Sequence, residues 1–266
     1  MPRRHLVELE DLPWLPAPVR DAATGYLQMM IHQSDAFAPA VPLLADALTR
    51  TGARRVVDLC SGGGGPWRRL SAALRESGAP RPVVLTDRYP NAGAARAVTG
   101  GDPSFDVTLH PAPVDATDVP SSLEGFRTMF SAFHHFRPHH ARAVLADAVA
   151  DGVPIAIFER TKRNVTCFLL MLLTPLFVLL GMPAVRPFRL TNLLFTYLIP
   201  LVPVVVLWDG IVSTLRTYSV EELRALVAEV PGRERYDWSI GEAAGRGPLP
   251  MLYLVGTPRG AQTPAA

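Results

Sequence analysis

Arg54-Arg55-Val56-Val57-Asp58-Leu59-Cys60-Ser61-Gly62-Gly63-Gly64-Gly65-Pro66-Trp67 is the stretch whose reading decides the fold. A short β-branched run ends in an acid, and four consecutive glycines follow. Each glycine adds chain entropy that folding must remove. A run of them beside a buried strand therefore marks a place where the backbone presses closely against a ligand.

Outward from this loop, apolar runs alternate with amphipathic segments. Strands are expected at residues 55–60, 82–87, 111–115, 127–133 and 153–159, and helices at 67–77 and 138–150. The alternation predicts a doubly wound α/β sheet. Such sheets bind ligands at the carboxyl ends of their strands, and those ends carry Asp58, Asp87, Asp115, Ser131 and Glu159 in turn.

The loop also limits the ligand. A dinucleotide fingerprint needs Gly-x-Gly-x-x-Gly. Gly62 and Gly64 supply two positions, but the third falls on Trp67, and Asp58 would repel a pyrophosphate. Nicotinamide binding is disfavoured. A carboxylate before the glycines suits a ligand with a cationic end, and a second one closing strand two suits a ribose diol.

Over residues 54–160, these features resemble the class I S-adenosylmethionine-dependent methyltransferases, in which an acid ending strand one precedes Gly-x-Gly-x-Gly. Asp58 matches the acid, Gly62 and Gly64 match the last two glycines, and Cys60 stands in place of the first, with Ser61 beside it. The resemblance implies S-adenosyl-L-methionine as cofactor. It further implies that Asp87, followed by Arg88, holds the ribose, that Asp115-Ala116 faces the adenine, and that Ser131 lies beside the methionine part. The implied fold is a Rossmann-like, seven-stranded sheet with an N-terminal helical cap. The implied reaction is in-line attack by an acceptor oxygen, nitrogen or carbon on the sulfonium methyl. For an acceptor with a proton to lose, His134 and His135 are the first candidate bases, because imidazole titrates near neutral pH, and Glu159 is the next. The nearby His139 and His140 do not make a metal site plausible: one helical turn points the four rings in different directions, and no Cys or carboxylate stands at ligand spacing. No metal is expected.

Length and composition agree with this outline. The 266 residues carry a net charge of +2 and a sequence pI of about 8.7, with Lys162 the only lysine. No basic stripe suggests nucleic acid. Two separated cysteines suggest a reducing compartment, and the first residues lack the apolar core of a signal peptide, so a cytoplasmic N-terminus is expected.

Residues 1–50 read as a proline-punctuated arm followed by helices at 18–30 and 39–49, a cap in which Trp14 or Tyr26 would face the pocket or, more simply, pack on the sheet. After the 51–163 core come two uncharged stretches, 164–185 and 190–208, separated by Arg186-Pro187-Phe188-Arg189. A 22-residue helix would be about 33 Å long, close to the roughly 30 Å of a bilayer's hydrocarbon. A transmembrane helix or, preferably, a hairpin lodged in one leaflet is expected, since spanning would carry Arg186 and Arg189 across. The chain would then sit on the cytoplasmic face of a membrane. Residues 209–258 should return the chain to the active-site mouth through Asp209, Arg216 and Tyr218, form a helix over 219–228 and close the sheet with strands at 235–240 and 251–256. Residues 259–266 are expected to be a disordered tail. The apolar insertion implies a lipophilic acceptor drawn from the membrane. The alternative is an inactive membrane-associated adaptor on the same scaffold.

Overall fold

The computed structural model describes residues 1–90, 93–99, 105–245 and 247–260, so most of the expected tail lies outside the described residues. The chain divides into two compact units: residues 1–34 with 161–218, and residues 35–160 with 219–266.

The second unit holds the sheet. After α2 (Ala40–Thr51), β1 (Val56–Asp58) leads into α3 (Trp67–Glu76), β2 (Val83–Leu85), α4 (Ala94–Thr99) and β3 (Val107–Leu109). β4 (Phe126–Phe130), α5 (Pro138–Asp151) and β5 (Ile155–Glu159) follow. The strand order is β3-β2-β1-β4-β5-β7-β6, with β1 to β5 parallel and the final pair antiparallel. This is the Rossmann-like, seven-stranded sheet expected from the sequence. β1, β4 and β5 are buried along their whole length, as central strands covered on both faces must be. β6 (Tyr236–Ala243) and β7 (Met251–Pro258) close the sheet.

One strand differs from its sequence reading. Residues 111–115 do not form a strand; β3 lies earlier, because Pro111 and Pro113 have no N–H to give a ladder. The chain nevertheless stays alongside β2: the His110 N–H donates to the Leu85 carbonyl and the Val114 N–H to the Asp87 carbonyl, both at 2.9 Å.

The first unit contains α1 (Ala17–Gln33), α6 (Val165–Leu172), α7 (Thr174–Gly181), α8 (Leu190–Leu193) and α9 (Leu201–Arg216). A π-helical segment, Leu194–Leu198, extends α8. The strand-like Val-Val-Val of the sequence is helical here because Val202, Val205 and Val206 pack with Val19, Ala22 and Ala23 of α1. Tertiary burial overrides β propensity. The expected long hairpin helices are broken. α6 and α7 meet at a 40° bend, the second pair bends by 77°, and no single described helix is long and apolar enough to cross a membrane. Pro175 and Pro200 account for the breaks, since each removes a helical hydrogen bond. Back in the sheet unit, α10 (Val220–Ala228) begins at the expected capping box: the Ser219 N–H donates to Glu222 and the Glu222 N–H to the Ser219 hydroxyl.

Candidate functional site

The glycine turn is held from beneath by the carboxyl end of β1. The Asp58 carbonyl accepts from the Thr86 N–H at 2.8 Å, the Thr86 hydroxyl at 2.9 Å and the Ser61 hydroxyl at 2.8 Å. The Asp58 carboxylate accepts from the Thr128 hydroxyl at 2.7 Å and is 1% exposed. Asp58 therefore lies under the loop rather than on its surface. Burial pushes its pKa up to about 7, against the pull of Thr128, Ser61 and the Trp67 indole, which acts from outside hydrogen-bonding geometry; the Asp87 charge adds to the rise.

Two backbone features fix the turn. Gly62 (φ 51°) and Gly64 (φ 101°) occupy the left-handed region that only glycine enters cheaply. Cys60 (φ 55°) and Ser131 (φ 46°) do so with side chains, and they are the only described non-glycine residues at positive φ. They follow the adjacent strands β1 and β4. Such strain persists where surrounding structure enforces it, and it clusters at ligand sites. Cys60 thus stands at a position where a glycine would be conformationally cheaper. Burial, with the Asp87, Asp58 and Asp115 carboxylates, pushes the Cys60 thiol far up, so it is no thiolate nucleophile.

Asp87 faces the turn. Its Oδ2 accepts from the Gly62 N–H and its Oδ1 from the Tyr89 N–H, both at 2.8 Å. A carboxylate has about four acceptor positions, so two remain for ribose hydroxyls. Asp115 is exposed and accepts from the Thr117 N–H and hydroxyl. These bonds hold its pKa below the usual range, with Arg88 and His140 assisting. Ala116 is buried beside it. The Val114 hydrogen bond to the Asp87 carbonyl brings these two acids to one edge.

At the ends of β4 and β5, His134 and Glu159 are both almost fully buried. Glu159 Oε2 lies 2.8 Å from His134 Nδ1, and Glu159 Oε1 accepts from the His134 N–H at 3.1 Å. This double contact orients the imidazole and assigns the Nδ1 proton to the carboxylate side. His135 is exposed, its ring 4.4 Å from that of His134. Glu159, the next candidate base after the histidines in the sequence, orients His134 here. Beneath this end of the sheet, Phe130 stacks on Phe158 at 5.1 Å and meets Phe37 and Trp67 edge-on.

Three residues that the sequence places at the pocket or its mouth as candidate substrate contacts, Tyr26, Arg216 and Tyr218, belong to the first unit and are engaged there. Tyr26 is buried in the α1–α9 cluster. Arg216 lies within α9, where it pairs with Glu8 at 3.0 Å and donates to the Leu6 carbonyl. The Arg3 guanidinium covers the Tyr218 ring at 3.9 Å. Asp209, expected on the return to the active-site mouth, is inside α9 and accepts from the Leu9 and Glu10 N–H groups. Conversely, the sequence reading missed Thr86 and Thr128. For Thr86 the signal was a hydroxyl directly before the acid that closes its strand, Asp87; Thr128, inside Phe126–Phe130, had no such neighbour.

No protein-family model and no curated protein matches the chain. Among solved structures, it is similar to the methyltransferase domain of bacterial CtHen1 (12% identity, 84% of this chain and 99% of that one, TM-score 0.49). It is similar also to magnesium protoporphyrin IX methyltransferase from Synechocystis PCC 6803 (12% identity, 92% and 90%, TM-score 0.42). A third similar structure, from Rhodobacter sphaeroides, is named for Zn-dependent alcohol dehydrogenases (13% identity, 89% and 98%, TM-score 0.48).

Proposed function

We propose that the sheet unit binds S-adenosylmethionine and transfers its methyl group to a lipophilic small molecule. The observation that carries the cofactor reading is the joined edge of Gly62, Asp87 and Asp115: an open glycine turn hydrogen-bonded to one acid, with a second acid brought alongside by the backbone.

The residues present fit that cofactor. A Cβ built on Gly62 meets nothing within 4 Å, so the turn is open on its outer side. Asp87 keeps acceptor positions for a ribose diol, and Asp115 offers one to an adenine amino group beside the backbone of Ala116. Bound here, the cofactor supplies an activated methyl group.

The chain's own tasks are orientation, exclusion of water and handling of one proton. Ser131 and Cys60 hold the loop edges. Phe130 and Phe158 keep the floor apolar. His134 Nε2 takes the acceptor's proton while Glu159 holds Nδ1–H and stabilises the resulting imidazolium. The lipophilic acceptor is supported by the exposed apolar side chains of residues 165–208.

The test is incubation of the protein with methyl-labelled cofactor and a lipid extract, read by mass spectrometry. A component gaining one methyl group is the expected result. Label confined to water-soluble acceptors overturns the substrate class. Failure to bind S-adenosylhomocysteine overturns the cofactor and favours the adaptor reading.

A further inference from the structure

We infer that residues 165–208 form a lipid-docking surface that enters one leaflet of an anionic bilayer. The inference stands apart from methyl transfer. Seventeen of the 24 large hydrophobic side chains exposed among the described residues lie in this segment, whereas the described residues of the sheet unit expose only Tyr89. A soluble surface rarely carries so continuous an apolar run.

Charge selects the occupant. Residues 161–208 contain Lys162, Arg163, Arg186 and Arg189 and no Asp or Glu. Arg189 reaches Asp21, and Arg186 caps the Pro183 and Val185 carbonyls. A second copy would bring the same cationic set face to face with this one. Anionic headgroups would complement it. Arginines at the end of the first apolar stretch can snorkel to the headgroup layer they entered from.

Length selects the depth. α6 and α7 have eight residues each, about 12 Å apiece, and the bend between them prevents a straight 24 Å rod. Each covers less than half of a hydrocarbon layer roughly 30 Å thick. The apolar part of α9 ends at Trp208. Beyond it, Asp209 is tied to the Leu9 and Glu10 N–H groups and Arg216 to Glu8. Carrying this polar half through a bilayer core would strip solvent from several charges.

The test is flotation of the full-length chain with preformed vesicles of phosphatidylcholine, with or without phosphatidylglycerol. Both should carry the protein. Partitioning should be on the order of tenfold stronger on the anionic vesicles, with the advantage lost at high salt. The double variant Leu180→Glu/Leu198→Glu, at side chains 72% and 76% exposed, should keep the wild-type melting profile and lose flotation at least tenfold. R186Q/R189Q should keep binding to neutral vesicles and lose part of the anionic preference. Wild-type protein that floats with neither vesicle overturns the inference, as does a double variant that floats like wild type. Dimers abolished by the double variant, with no flotation, would assign the surface to a second copy instead. Flotation needs no cofactor, so its failure is distinguishable from failure to bind S-adenosylhomocysteine.

Discussion

The Gly62 N–H donates a 2.8 Å hydrogen bond to Oδ2 of Asp87, joining the turn after β1 to the acid after β2. One side chain therefore shapes the loop and presents its remaining acceptor positions to a ligand. D87N keeps the size but removes the charge. Hydrogen bonds to charged groups contribute about 1.5–3 kcal/mol, so S-adenosylhomocysteine should bind roughly 10–100-fold more weakly, and because Asn can accept from only one of the Gly62 and Tyr89 N–H groups the melting temperature should fall by about 2–4 °C. Calorimetry checks the first outcome and thermal unfolding the second.

His134 and Glu159 predict a split between chemistry and binding. H134A should lower kcat by about 10²–10⁴-fold, the usual range for a general base, and leave S-adenosylhomocysteine affinity near wild type. E159Q should give a smaller loss and a shifted acid limb in the pH–rate profile, because Gln keeps a hydrogen-bond acceptor but no longer stabilises an imidazolium. A purely structural Glu159 would lower the amount of folded enzyme without moving that limb. H135A, at an exposed ring, should retain activity.

Asp58 makes stability depend on pH in a definite direction. Its folded pKa of about 7 lies above the ordinary carboxyl value, so the folded state binds the proton more tightly. Stability from this group is present below about pH 4 and is lost as pH rises through 7, by up to about 4 kcal/mol. Glu10 and Asp209, raised by burial to about 7 and about 6, contribute in the same sense. Comparing D58N with wild type at pH 5 and pH 8 cancels those two. The variant should gain stability relative to wild type at the higher pH, measured by urea unfolding.

Cys60 at φ 55° predicts a stabilising substitution. C60G relieves left-handed strain of roughly 1 kcal/mol or more but adds unfolded-chain entropy, so a net gain of up to about 1 kcal/mol is expected. C60V, β-branched at the same φ, should destabilise. Differential scanning calorimetry of the pair reads both signs.

Arg127 is 2% exposed and pairs with Asp147 at 2.7 Å and Asp151 at 2.6 Å across β4 and α5. R127M leaves those acids without their cation, and about 2–4 kcal/mol of stability should be lost, with cofactor binding preserved in the folded fraction. Urea unfolding beside calorimetry separates the two effects.

The sheet was legible in the sequence because its signals are local: Val56-Val57-Asp58 before four glycines, a capping box at Ser219 and Glu222, and alternating runs that end in acids. The third strand was misplaced because Val114 next to Asp115 has strand composition, while the two prolines that forbid a ladder are a backbone matter. The His134–Glu159 pair was not legible as a pair. Twenty-five residues separate them, and only the adjacency of β4 and β5 brings the imidazole to the carboxylate. Arg216 and Tyr26 could not be placed from sequence for the opposite reason. Both have the chemistry of a binding site, but partners within their own unit use it for packing and charge compensation. The breaks in 164–208 were visible as prolines, but the packing of the valines of α9 on α1 was not.

The central claim is tested most directly by titrating the full-length chain with S-adenosylhomocysteine and, separately, with NAD in a calorimeter. The account predicts one saturable site for S-adenosylhomocysteine, weakened by D87N, and no heat from NAD. A folded chain that gives no heat with S-adenosylhomocysteine, or that binds NAD in its place, would contradict it.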